Sequence, residues 1–122
     1  MSKTARILTG VVLVAHVWFF VLESILWTSK FAQLALHMSA EEAVANKILA
    51  MNQGAYNAVL AAGLGWALRS PASEQKERAS FFLVAIIALG LVGAVTASRP
   101  EILLLQSAPA VAALVALRRS PG

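Results

Sequence analysis

The chain has 122 residues, 59% of them hydrophobic and 13% charged, with ten Lys and Arg against six Asp and Glu. A soluble domain carries about a quarter charged residues, so this composition excludes an ordinary water-soluble globule and points to a bilayer as the solvent. The lack of cysteine excludes a disulfide framework and thiol nucleophiles, and basic residues scattered in ones, twos and threes form no nucleic-acid footprint.

Four apolar blocks free of Lys and Arg follow one another: Ile7 to Trp27, Ile48 to Leu68, Phe81 to Ser98 and Ile102 to Leu117, with lengths of 21, 21, 18 and 16 residues. A membrane-crossing helix needs about 20 residues; the first three qualify, and Arg118 and Arg119 extend the fourth by snorkelling. None alternates like a barrel strand, so the expected fold is an all-α, four-helix integral membrane bundle. It forms a single domain over residues 1–122, with spans near 7–27, 40–68, 74–98 and 100–119.

The connections carry helix signals. Ser39 with Glu42 fits a capping box, which starts the second helix near Ala40. Ser70 and Pro71 end that helix, Ser73 can cap the third, and Pro100 suits the first turn of the fourth. Small residues four apart, such as Gly54, Ala58 and Ala62, allow close helix approach and are compatible with a homo-oligomer. Lys3, Arg6, Arg69, Lys76, Arg78, Arg118 and Arg119 fall on one side of the spans, and Lys30, Lys47 and Arg99 on the other. Seven against three predicts cytoplasmic termini in a multi-pass cell-membrane protein, as in a bacterial inner membrane. The first block has a basic start like a signal peptide, but its length, His16 and Glu23, and the lack of a small-x-small cleavage site read as an uncleaved helix.

Polar side chains inside hydrocarbon are costly and usually face a bundle interior, a cavity or each other. His16 and Glu23 lie in the first block, Asn52, Gln53 and Asn57 near the start of the second, and Gln106 in the fourth, while the third holds only Thr96 and Ser98 near its end. Of six acids, Glu23 alone lies inside an apolar block. His16 is two turns earlier on nearly the same face, about 10 Å along the axis, and Phe20 and Trp27 continue that face. Amides can orient Glu23 or bind a ligand hydroxyl or carbonyl. Pro109 cannot donate to the Leu105 carbonyl, which leaves an acceptor beside Gln106. Glu23 and His16 are therefore the candidate acid–base residues, and Asn52, Gln53, Tyr56, Asn57, Gln106 and Trp27 the candidate ligand-binding residues. Each has a structural alternative: an interfacial acid, a packed neutral imidazole, interhelical amide contacts, and aromatic belt or packing residues.

At these residues the chain resembles the bacterial and fungal membrane family known as domain of unknown function 1304. The resemblance rests on His16 with Glu23, on Leu26-Trp27, on the run Asn52-Gln53-Gly54-Ala55-Tyr56-Asn57 followed by Leu60 to Leu64, and on Gln106 with Pro109-Ala110. Ser24 stands where Met is usual, and Ala58 and Val59 replace a Gly-Phe pair. The resemblance implies a four-helix integral membrane protein and carries no mechanism of its own.

Three functions stay open at this stage. The first is a membrane protein that binds a lipophilic small molecule and can transform it by acid–base exchange between Glu23 and His16; sterol isomerases offer an analogy of architecture. The second is proton-coupled transport of a small molecule or cation, since small multidrug resistance proteins also carry one acid in the first of four helices. The third is a structural subunit whose polar residues face a partner helix. Membrane lipids are the expected surroundings. No cofactor is implied, and no metal, because His37 lies in a connection and no paired-His spacing exists.

Overall fold

The computed structural model describes residues 1–97 and 100–121, and among these it is all-α, without a strand. Helix α1 spans Lys3–Phe20 and continues as a π-helical segment Val21–Ile25; α2 (Lys30–Ala35) and α3 (Ala40–Ala45) are short; α4 spans Lys47–Arg69 and α5 Ala72–Thr96. A second π-helical segment, Leu103–Ser107, leads into α6 (Ala108–Arg118). Two stretches, Lys3–Ile25 and Ala72–Thr96, are long and apolar enough to cross a membrane, and Leu103–Arg118 is a shorter apolar helix. Helix α4 has 23 residues, enough in length, but carries Asn52, Gln53 and Asn57. Ser98 and Arg99, named above for the end of the third span and for the charge count, lie outside the described residues.

Two compact units make up the chain, one of residues 1–14 with 60–122 and the other of residues 15–59. The first has an apolar core of Ala5, Val12, Leu64, Ala67, Ala79, Leu83, Ile86, Ala110, Ala113 and Leu117. Half of these are alanines, so helix backbones approach closely and van der Waals contact holds the packing. Gly63 lies so close to the Phe82 ring, and Gly90 to Ser107, that a Cβ at either would collide. The Ser107 hydroxyl donates to the Ile87 carbonyl at 3.2 Å.

One end of this unit is closed by a polar network. Arg6 donates to the Leu68 carbonyl (3.2 Å) and to Gln75 Oε1 (3.0 Å), while Gln75 Nε2 donates to the Leu68 and Ser70 carbonyls (3.3 and 2.9 Å). Carbonyls at the end of α4, which have no acceptor role left within the helix, thus find side-chain donors. Arg78 donates to Ser70 Oγ at 2.6 Å, pairs with Glu74, and stacks 4.0 Å over the Trp66 ring, a cation–π contact. Helix α5 starts one residue before Ser73, the expected cap. Pro71 precedes its first turn, and the Pro71 carbonyl accepts from Glu74 and Gln75 N–H at 2.9 and 3.2 Å. Near the other helix ends, Ser120 Oγ accepts from Ser2 N–H at 3.0 Å, and Lys76 Nζ donates to the Ser120 carbonyl at 3.1 Å.

In the unit of residues 15–59 the short helices are set by their caps. Ser29 Oγ accepts from Ala32 N–H at 3.1 Å. Helix α2 ends in a Schellman motif, with Met38 N–H bonded to the Gln33 carbonyl and His37 N–H to that of Leu34. His37 occupies the left-handed position (φ 53°) that glycine usually fills. The capping box is present: Ser39 N–H donates to Glu42 Oε2 at 2.7 Å and Glu42 N–H to Ser39 Oγ at 3.1 Å. The helix expected over 40–68 is interrupted at Asn46. Its side-chain amide donates to the Glu42 carbonyl at 3.0 Å, local bonding that competes with helix continuation. Helix α4 restarts at once, with Ala50 N–H on the Asn46 carbonyl at 2.9 Å.

Candidate functional site

Glu23 sits on the π-helical segment at the end of α1, where Leu26 N–H bonds to the Val21 carbonyl five residues back. A π segment re-aims the side chains that follow it and often marks a functional position. Here the half-buried Glu23 carboxyl meets α4: Asn57 Nδ2 donates to Glu23 Oε2 at 2.7 Å, the short end of the hydrogen-bond range. Asn57 is 6% exposed. An acid and an amide 34 positions apart are thus joined on one buried face, within an apolar stretch.

The register of α4 explains why Asn57 is the amide selected. Ala50, Gly54 and Asn57 are the buried residues of this part of the helix, at the i, i+4, i+7 spacing of an inward stripe. Gly54 lies against Ser24 with no room for a Cβ, and Ser24 Oγ donates to the Met51 carbonyl at 3.3 Å. The missing Cβ lets the turn around Ser24 approach α4, which brings the neighbouring Glu23 within reach of Asn57. The small-residue spacing of Gly54 predicts only close helix approach, and no sequence feature pairs it with Ser24. Their juxtaposition has no periodic signal, because it depends on the π-helical offset between Val21 and Ile25.

The other amides do not join this pair. Asn52 and Gln53 are exposed, and Tyr56 is 59% exposed. Gln53 shares a helical quadrant with Asn57, yet it lies beyond Asn57 at the edge of the buried stripe, about 100° around the helix from Gly54. Trp27 is half-buried, and its indole N–H donates to the Ala43 carbonyl at 3.0 Å, which ties the end of the first span to α3. His16 is 1% exposed, with its ring edge-on to Phe19 at 5.4 Å between centroids. A second aromatic pair, Trp18 with Phe31 at 6.0 Å, joins α1 to α2.

Gln106 belongs to the other unit. It is half-buried on the π-helical segment Leu103–Ser107, whose register closes with Ala108 N–H on the Leu103 carbonyl. That offset falls immediately before Pro109, which has no N–H to continue an ordinary α-helical ladder.

Chemically, the Glu23–Asn57 pair presents one carboxyl group with an oxygen fixed by an amide donor and the other oxygen not committed to that bond. Such a group can accept a hydrogen bond or exchange a proton. These features define an all-α chain with apolar helices of membrane-crossing length and a carboxyl–amide pair that joins the end of one of them to α4. The chain belongs to the family described as protein of unknown function DUF1304, whose model matches residues 10–118. That match takes in every candidate site residue. No curated protein and no solved structure matches the chain.

Proposed function

We propose that this is a multi-pass cell-membrane protein, with both termini cytoplasmic as in a bacterial inner membrane, that binds a lipophilic small molecule at Glu23 and Asn57. Four spans are formed by the first helix, α4, α5 and the helix ending at Arg118. Large apolar side chains directed outward along the helices support membrane placement, among them Ile7, Val11 and Val14 on α1, Val59 on α4, and Phe81, Val92 and Val95 on α5. So extensive an apolar surface is unusual for a soluble monomer. The seven-to-three distribution of Lys and Arg supports the orientation.

The observation that carries the ligand reading is the 2.7 Å bond from Asn57 to Glu23. It holds the carboxyl in one orientation within a largely apolar stretch, the condition for recognising a hydroxyl, carbonyl or amine on a hydrophobic molecule. Acid–base turnover of that molecule extends the same reading, with Glu23 exchanging the proton and the buried His16 as its counterpart.

The test is native mass spectrometry of protein extracted in mild detergent. A small molecule co-purifying with the native chain and lost in Glu23→Gln supports the reading, because Gln can keep a hydrogen bond to Asn57 while removing the acid. An unchanged complement of bound molecules in a folded Glu23→Gln variant overturns it. A single acid in the first span also favours proton-coupled transport as a second reading. Uptake of a lipophilic cation into liposomes that follows an imposed pH gradient supports transport, and uptake insensitive to the gradient removes it.

A further inference from the structure

A second site lies wholly within the unit of residues 1–14 and 60–122. Ser2, Thr4, Ala112, Val115, Ala116 and Arg119 line an open groove of about 540 Å³ where the start of α1 meets the end of α6. That volume is in the range of small-molecule sites, roughly 300–1,000 Å³. The floor is apolar, and the alanines at 112 and 116 leave the space that larger side chains would fill. Arg119 supplies a cation among the lining residues, and Lys3 and Arg118, exposed next to lining residues in sequence, add positive charge to the helix ends that form the groove. Residues 1–22 and 102–122 contain no acid. Of the two acids on α5, Glu74 is paired with Arg78, and neither Glu74 nor Glu77 lines the groove.

We infer that this groove binds an anionic phospholipid, with an acyl chain along Ala112, Val115 and Ala116 and the phosphate at Arg119 and the Thr4 hydroxyl. The two halves of the groove match the two halves of such a lipid. Apolar surface takes the methylene chain, and a guanidinium supplies paired donors to phosphate oxygens. A second copy of this chain is a poor occupant, because a two-fold contact across the groove would set Arg119 against its own counterpart. The inference rests on the membrane placement proposed above but not on the Glu23 site.

The full chain, purified in mild detergent, is titrated with dioleoyl phosphatidylglycerol or dioleoyl phosphatidylcholine, and bound lipid is counted by native mass spectrometry. Retention of phosphatidylglycerol over phosphatidylcholine is expected, falling about fivefold in Arg119→Gln, the usual effect of one cation near an anionic headgroup. Ala112→Phe, at an exposed position, should fill the groove and lower retention of both lipids. Equal retention of the two lipids, full retention in helical Ala112→Phe protein, or displacement by inorganic phosphate alone would overturn the inference. If Ala112→Phe does not fold, Arg119→Gln decides: undiminished preference for phosphatidylglycerol overturns the site and reduced preference supports it. Recovery of the expressed chain in the soluble cell fraction would instead defeat the membrane placement, a failure distinguishable from loss of lipid selectivity.

Discussion

In residues 1–14 and 60–122 the buried set includes Leu64, Leu83, Ile86 and Leu117 around close-set alanines, whereas in residues 15–59 it consists of His16, Ala32, Ala43, Ala50, Gly54 and Asn57. The first unit has a packed apolar core with a polar network at one end. The second buries no large aliphatic side chain and is organised by caps, an indole bond to Ala43 and the Asn57–Glu23 bond. A region with few buried apolar contacts opens more easily than a packed core. Polar bonds also specify position more sharply than they add net stability. The carboxyl group therefore sits in the unit whose geometry depends most on individual hydrogen bonds.

That contrast predicts a graded mutational response, measured as the unfolding midpoint in detergent. The largest loss is expected in the first unit: Leu83→Ala should cost about 2–5 kcal/mol through the transfer and cavity terms. A loss below that of the polar variants would break the contrast. Next comes Asn57→Leu, expected to cost about 1–3 kcal/mol by leaving the Glu23 carboxyl without its donor. The double variant Asn57→Leu with Glu23→Leu should recover most of this, and purely additive losses would show that the bond is not what couples the two positions.

Gly54→Ala should cost about 1–3 kcal/mol from overpacking against Ser24. Ser24→Ala in the same chain should relieve part of it; no relief would place the strain elsewhere. Ser39→Ala removes the capping box and should lose about 1 kcal/mol. Smallest, and of opposite sign, is His37→Gly, which should gain up to about 1 kcal/mol by relieving the left-handed backbone. A loss there would mean that the His37 side chain contributes more than its backbone conformation costs.

The capping box at Ser39, the helix end at Ser70 and Pro71, and the helical class all follow from local chemistry, which is why they could be read without coordinates. Glu23 could be singled out for the same reason, since an acid within an apolar run is anomalous in one dimension. The partner could not. Asn52, Gln53 and Asn57 are equivalent amides in composition, and only the inward stripe of Ala50, Gly54 and Asn57 separates them. The break at Asn46 was also hidden, because the same residue type can cap a helix, end it or sit within it according to where its side chain bonds.

From the amino-acid order alone came the all-helical character, the apolar stretches, the charge bias and the presence of an acid out of place, because each depends on hydration and hydrogen bonding summed over neighbouring residues. The tertiary structure alone decided that Asn57 is the residue bound to Glu23, that Gly54 admits the turn carrying Ser24, and that a groove lined by Arg119 lies between the start of α1 and the end of α6. Those outcomes depend on the rotation and separation of helices distant in sequence, where a π-helical offset of one residue, about 100° of rotation, changes which side chains meet.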